Sequence, residues 1–166
     1  MSEKLALLIA TYAGLGLSPK APGTVGSVGT LPLAFVLAYF FGAYGIIIAT
    51  IIIFVVGTLA TDVIIRDSAE KDPGKVVIDE VVGQLLTFVF IADSMLYHNS
   101  ENWWLYLIGL LTFRFFDICK MGPVKWFDSK MKNAFGVMMD DVCAGLIGGV
   151  IIWGVITYFN THGISL

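Results

Sequence analysis

Residues 112 to 145 read TFRFFDICKMGPVKWFDSKMKNAFGVMMDDVCAG, and we predict that the chain is organised around this stretch. It runs from one apolar segment through a basic loop into a second apolar segment. Arg114 and Asp117 stand where the first segment ends, and Asp140 and Asp141 stand where the second begins. Carboxylates are costly near hydrocarbon, so acids placed this way are candidates for function. We expect the rest of the chain to bring further carboxylates to the same place or to hold these in position.

The composition indicates an integral membrane protein. Of 166 residues, 57% are hydrophobic and 14% are charged, with a mean hydropathy of +0.85, whereas about a quarter of an average soluble domain is charged. Between Lys20 and Asp62 there is no Asp, Glu, Lys or Arg, which leaves room for two membrane crossings. We therefore predict a single membrane domain over residues 1–166, with lipids rather than nucleic acid as its partners.

The pattern of hydropathy predicts an all-α, multi-pass helical bundle with about five spans and a short N-terminal helix. The short helix is expected within residues 5–17. The predicted spans are two helices within residues 25–61 that break at residues 41–45, then residues 76–92, 103–119 and 140–159. The first two helices form a hairpin that either crosses the membrane fully or is re-entrant, and the sequence leaves both possibilities open.

The positive charges support this topology. With the N-terminus inside, all ten Lys and Arg residues fall on one side of the membrane. The positive-inside rule identifies that side as the cytoplasm.

Six carboxylates collect at the predicted cytoplasmic end of four helices; they are Asp62, Asp79, Glu80, Asp117, Asp140 and Asp141. Clustered carboxylates repel one another and cannot all stay ionised without a cation. Oxygen ligands of this kind suit Mg²⁺ or Mn²⁺. The alternative is that some acids only stabilise helix N-termini, but Asp62 and Asp117 lie at predicted C-terminal ends, where negative charge is unfavourable.

Helical spacing divides these acids. Glu80 continues into a stripe of small and polar residues at Gly83, Gln84 and Thr87, and Asp141 continues into a stripe of small residues from Ala144 to Gly149. Stripes of small residues allow helix backbones to approach closely. We therefore expect Glu80 and Asp141 to face packed neighbours.

Asp79 lies about 100° around its helix from Glu80, and Asp140 lies about 100° around its helix from Asp141. Arg114 and Asp117 share a helix face. They form either an intrahelical ion pair or a phosphate-binding and metal-binding pair.

A loop rich in glycine, residues 18–30, reads SPKAPGTVGSVGT. Such a loop can direct backbone N–H groups at a phosphate, and Lys20 and Thr24 are candidate substrate-binding residues within it. The loop lacks the GK[ST] ending of a P-loop, and its Pro and Gly residues favour a turn that leads into a helix. The two histidines fall on the predicted outer face, so an activated water is the expected nucleophile.

Four motifs in order resemble the phosphatidylglycerophosphatase A family: GLSPKAPGT, DPGKVVIDEVVG, FRFFDICK followed by PVKWFD, and FGVMMDDVCAG. They extend over roughly residues 14 to 149. The resemblance implies a Mg²⁺-dependent lipid phosphatase of the bacterial cytoplasmic membrane that converts phosphatidylglycerophosphate to phosphatidylglycerol and phosphate. The positions it implies are Asp79, Glu80, Arg114, Asp117, Lys120, Asp140 and Asp141.

Together with the charge pattern, the resemblance leads to the following assignments. Catalytic roles are expected for Asp79, Glu80, Asp117 and Asp141. Metal ligands are expected among Glu80, Asp117, Asp140, Asp141 and Asp62, and substrate contacts among Arg114, Lys120, Lys20 and Thr24.

Two other classes of function compete with the enzyme. A transporter would use intramembrane acids, but those usually lie near the membrane midplane and often within inverted repeats. A non-catalytic scaffold would pack through its glycine faces, but it leaves the carboxylates without a role.

The topology predicts that residue 130 is cytoplasmic and residue 99 is outside. In a chain whose own cysteines are replaced by Ser, a membrane-impermeant thiol reagent applied outside should label Asn99→Cys and spare Lys130→Cys. Labelling at position 130 without labelling at position 99 would contradict the topology.

Overall fold

A computed structural model describes residues 1–66, 68, 73–92 and 103–162. Within these ranges the secondary structure is entirely helical, which confirms the all-α prediction. The helices are α1 (Glu3–Ala10), α2 (Pro22–Arg66), α3 (Ile78–Val89), α4 (Trp103–Cys119), α5 (Pro123–Lys130) and α6 (Ala134–Thr161), with a 3₁₀ turn at Leu15–Leu17. The predicted outer loop, residues 93–102, lies outside the described residues.

Helix α2 consists of two halves that fold back on each other at Gly42, whose backbone is non-helical with φ 60° and ψ −156°. Gly57 follows Gly26 by 31 positions, about 46 Å along a straight helix. A Cβ atom at Gly26 would nevertheless lie 3.0 Å from Val77, and one at Gly57 would lie 3.0 Å from the next residue, Ile78. The two halves therefore converge on one end of α3, and the predicted break within residues 41–45 is confirmed.

Helix α3 is the buried centre of the bundle, packed between α2 and α6. Its buried apolar side chains include Val81, Val82, Leu85 and Phe88. With 12 residues it is about 18 Å long, shorter than the ~30 Å hydrocarbon core of a bilayer. The helix predicted at residues 76–92 is present, but it is too short to cross a membrane by itself.

Two of the described helices, α2 and α6, are long and apolar enough to span a membrane. Only 17% and 33% of their most apolar windows are buried, whereas the core helix of a soluble protein would be mostly buried. Large apolar side chains such as Phe40, Ile51 and Trp153 are exposed on their outer faces. These faces fit a lipid environment.

Helices α3 and α6 approach each other closely at Gly83 and Gly145. A Cβ atom at Gly145 would overlap the carbonyl oxygen of Gly83, and one at Gly83 would lie 2.6 Å from the carbonyl oxygen of Asp141. The Thr87 hydroxyl donates to the Gly145 carbonyl at 3.2 Å and so links the two helices. The stripes of small residues on both helices thus allow the close approach that they predicted.

The connection from α4 to α6 is a compact turn. Lys120 and Gly122 adopt positive φ angles of 43° and 57°, and Pro123 begins α5, where its missing N–H costs nothing. Asn133 then caps α6 by accepting a hydrogen bond from the Gly136 N–H at 2.8 Å. The last predicted span therefore begins at Ala134 rather than at residue 140, and Asp140 and Asp141 lie in its second turn.

We expect Gly145→Ala to destabilise the bundle by about 1–3 kcal/mol, because its methyl group would overlap backbone that cannot move independently. Gly154→Ala is the matched control, since nothing lies within 4 Å of a Cβ atom there. The measurement is thermal loss of helical circular dichroism in detergent. Equal melting temperatures for the two variants would show that the crossing tolerates a side chain.

Candidate active site

Three carboxylates meet beside the crossing of α3 and α6. Oxygen atoms of Asp79, Glu80 and Asp141 all lie within 4.8 Å of one another. Asp79 and Asp141 are buried, and Glu80 is partly buried. Asp79 and Glu80 lie in the first turn of α3, where the helix dipole favours negative charge. We call these three residues the acid triad.

Two cations lie next to the acid triad. Arg114 Nη1 lies 2.6 Å from Asp117 Oδ2 and 3.6 Å from Glu80 Oε1. Lys120 Nζ lies 2.7 Å from Asp128 Oδ1 and 2.9 Å from Asp140 Oδ2. The C-terminal end of α4 thus supplies positive charge to a site whose acids come from α3, α4, α5 and α6.

All these groups except Asp128 line one cavity of about 240 Å³. Its lining residues are Gly74, Val76, Asp79, Glu80, Arg114, Asp117, Ile118, Lys120, Asp140 and Asp141. The seven positions implied by the four sequence motifs are therefore brought together.

Three residues predicted for the site do not line the cavity. Asp62 is exposed on α2, where it forms an ion pair with Arg66 at 2.8 Å. Lys20 and Thr24 are exposed and do not line the cavity. Asp62 shares the end of the bundle with the other acids, but its helix face turns it away from them.

The acids divide in a way that spacing predicted only in part. Asp141 joins the acid triad, while Asp140 points to Lys120, so the expected difference between these neighbours is present. Asp79 also joins the triad, although spacing placed it to one side of Glu80. Asp117 lies outside the triad and forms the intrahelical ion pair with Arg114 that the sequence allowed. Because Asn133 caps α6, Asp140 and Asp141 do not act as N-terminal caps.

Sequence reasoning missed Asp128 and Gly23. Asp128 belongs to the PVKWFD motif, but its partnership with Lys120 depends on the turn into α5. A Cβ atom at Gly23 would overlap Glu80 Oε1 and lie 3.2 Å from Arg114 Nη1. Only residues 18–21 of the predicted glycine-rich loop form a turn, and residues 22–30 are already the start of α2. The turn into a helix that its Pro and Gly residues favoured is thus present, and the first helical glycine, Gly23, packs directly on the site.

The ion pair between Lys120 and Asp128 lies outside the long helices and remains charged near neutral pH. Burial alone lowers the pKa of Lys120, but hydrogen bonds with Asp128 and Asp140 outweigh it and raise that pKa above its ordinary value. The hydrogen bond from Lys120 in turn lowers the pKa of Asp128. Lys120 is therefore a fixed positive charge at the rim of the site.

The acid triad fits a divalent cation. Glu80 Oε2 and Asp141 Oδ2 are buried and have no hydrogen-bond partner in the part of the chain that the structure describes. Buried oxygens without a partner are costly, and a cation would satisfy them. Ligands ~2.1 Å from one Mg²⁺ ion lie at most about 4.2 Å apart, so the observed spacing requires only small side-chain adjustments.

The fold and the site together define a class of protein: a helical bundle with apolar outer faces that suit a membrane, and one cavity that combines carboxylates with two cations. The family model of phosphatidylglycerophosphatase A matches residues 8–156. The chain belongs to this family of lipid phosphatases, which supports its placement as a bacterial membrane protein.

Relatives cover most of the chain. Phosphatidylglycerophosphatase A of Haemophilus influenzae is 33% identical over 148 residues, covering 89% of this chain and 86% of the relative. The Escherichia coli K12 enzyme of the same name is 29% identical, covering 88% and 80%. A Bacteroides thetaiotaomicron protein with the provisional name phosphatidylinositol-3-phosphatase is 31% identical, covering 89% and 91%. No solved structure matches the chain.

The geometry predicts which acids bind a metal ion. Asp141→Asn should weaken Mn²⁺ binding at least tenfold, because even residues that only support a metal ligand contribute 10–100-fold. Asp140→Asn should weaken it less, and Asp62→Asn should leave it unchanged. Electron paramagnetic resonance of Mn²⁺ with purified protein in detergent measures the affinity. Loss of binding in Asp62→Asn, with normal binding in Asp141→Asn, would refute the assignment.

Proposed function

We propose that the chain hydrolyses phosphatidylglycerophosphate to phosphatidylglycerol and inorganic phosphate at the cytoplasmic face of the bacterial inner membrane. We also propose that it requires Mg²⁺, for which Mn²⁺ can substitute. One observation carries the proposal: in this member of the family, a single cavity contains the acid triad, Arg114 and Lys120. The combination suits a phosphomonoester, because it provides positive charge for the phosphate and carboxylates for a cation and a proton.

Asp79, Glu80 and Asp141 would hold the cation. When bound, Mg²⁺ would supply positive charge to the phosphoryl oxygens and make a water molecule more acidic. The residues of the chain supply the remaining functions of binding, orientation and proton transfer.

Arg114 binds the phosphate in this proposal. Its Nε atom is buried and has no hydrogen-bond partner among the described residues, so a donor is available beside the cavity. The forked guanidinium group matches two phosphate oxygens, which a Lys side chain cannot do. Lys120, held by Asp128 and Asp140, adds a second positive charge that offsets the repulsion between the anionic substrate and the carboxylates.

Asp117 is the proposed proton acceptor. It lines the cavity but lies outside the acid triad, and its Oδ2 atom contacts Arg114. When the guanidinium group turns to the phosphate, Oδ2 becomes free to accept a proton from the attacking water. The water oxygen then bonds to phosphorus, the bond between phosphorus and the glycerol oxygen breaks, and the glycerol oxygen takes the proton.

The five-span topology remains part of the proposal. The antiparallel halves of α2 and the apolar face of α6 support three crossings, and α4 would supply a fourth. Helix α3 would be the fifth span; because it is shorter than the hydrocarbon core, it would carry the chain across inside the ring of the other helices, which shield it from lipid. The site would then lie beside Lys120 at the end where Lys and Arg collect, which the positive-inside rule assigns to the cytoplasm.

Phosphate release from purified protein tests the function. Phosphatidylglycerophosphate should release phosphate with Mg²⁺, lose this activity after exhaustive EDTA treatment and recover it when Mg²⁺ is restored. A phosphatidylinositol 3-phosphate sample run in parallel measures head-group preference, which the Bacteroides relative makes relevant. Full activity after EDTA treatment would reject the metal requirement, and no release from phosphatidylglycerophosphate under any condition would reject the proposed function.

Arg114→Lys should retain Mn²⁺ affinity but lose on the order of 10²-fold in rate, because one donor to the transition-state charge is worth about that much. Arg66→Lys is the matched control, since Arg66 also pairs with an Asp on its own helix but lies outside the cavity. Equal losses in both variants would show that Arg114 has no special role toward phosphate.

A further inference from the structure

The cavity of the site meets the apolar surface of the bundle at Ile118. This residue lines the cavity, and 67% of its surface is exposed. Among the lining residues it is the one large apolar side chain that is exposed, because Val76 is buried. The polar site therefore has a hydrocarbon-facing edge, and that edge belongs to α4.

Ile118 is the end of an exposed apolar row along α4. The row, called here the α4 stripe, consists of Leu107, Leu111, Phe115 and Ile118, which are 45%, 60%, 54% and 67% exposed. Their spacing of three or four residues places them on one face of the helix. Arg114 precedes Ile118 by one turn and points into the cavity, so one short segment carries both a phosphate ligand and an apolar surface.

We propose that the α4 stripe is the surface on which the acyl chains of the substrate lipid lie while its phosphate occupies the cavity. This inference rests on the proposed function. Its support is continuity: the stripe reaches the cavity through Ile118, and the cavity places Arg114 and Lys120 where a phosphomonoester would end. The exposed face of α2 around Ile51, Val55 and Leu59 is equally apolar, but none of those residues lines the cavity.

The occupant is a phosphomonoester lipid because the two ends of the surface differ in chemistry. The acyl chains of a lipid on the α4 stripe remain in an apolar environment. Its phosphate reaches the positive charges of Arg114 and Lys120 without the acyl chains crossing a polar surface. A water-soluble phosphate ester would use the cavity but gain nothing from the stripe. The α4 stripe therefore contributes to discrimination between long-chain and short-chain substrates.

Two leucines form a matched pair for the test. Leu111 on the stripe is 60% exposed, Leu59 on α2 is 61% exposed, and neither lines the cavity. Each is changed to Asn, and kcat/KM is measured with long-chain and with dihexanoyl phosphatidylglycerophosphate. In Leu111→Asn the ratio of long-chain to short-chain kcat/KM should fall roughly three- to tenfold, as expected when hydrocarbon contacts an unpaired amide. In Leu59→Asn the ratio should equal that of the wild type.

Failure of the docking surface and failure of the proposed function give different results. Absence of phosphate release from both substrates by the wild type overturns the function. Normal wild-type activity with equal ratios in the two variants overturns the role of the α4 stripe alone.

A second measurement needs no variant and covers the case in which Leu111→Asn does not fold. Phosphatidylglycerophosphate with a photoreactive group on its acyl chain is added to the wild-type protein at low mole fraction in vesicles. Labelling within residues 107–118 should decrease when excess unlabelled substrate competes, and labelling within residues 47–59 should not. Competition confined to residues 47–59, or found nowhere, would overturn the inference.

Discussion

The approach of two backbones at Gly83 and Gly145 is the constraint on which the site depends. Glu80 lies three residues before one of these glycines, and Asp141 lies four residues before the other. Because a helix advances about 1.5 Å per residue, the distance between the helix axes at the crossing sets the distance between the carboxylates. Small residues at the crossing therefore serve the chemistry of the site as much as the packing of the bundle.

The close approach also has an electrostatic cost. Three carboxylates share a buried region in which their charges are poorly screened. Arg114 and Lys120 offset part of this repulsion, but each is already paired with another acid, Asp117 or Asp140. The described site thus has more buried negative than positive charge. This excess favours a bound cation, and without one it would repel the anionic lipid that is the proposed substrate.

Much of this arrangement was predictable, because hydropathy, charge and small-residue spacing all act locally along the chain. The helices, the break in the long apolar region and the difference between Asp140 and Asp141 follow from such patterns. The position of Asp62 does not, because proximity to the end of a helix does not fix the face on which a side chain lies. The pairing of Lys120 with Asp128 was also hidden, since it requires two residues with positive φ to turn the chain into α5.

The hairpin in α2 has a consequence for the order in which the protein assembles. Helix α3 is short and contains two acids and a buried Gln84, so it would be a poor candidate for independent insertion into lipid. Because the chain is synthesised from its N-terminus, both halves of α2 exist before α3 emerges. Gly26 and Gly57, one in each half, pack against Val77 and Ile78 at the start of α3. In the proposed topology, the surface that receives α3 is therefore already present when α3 emerges, and α4 and α6 pack around it afterwards.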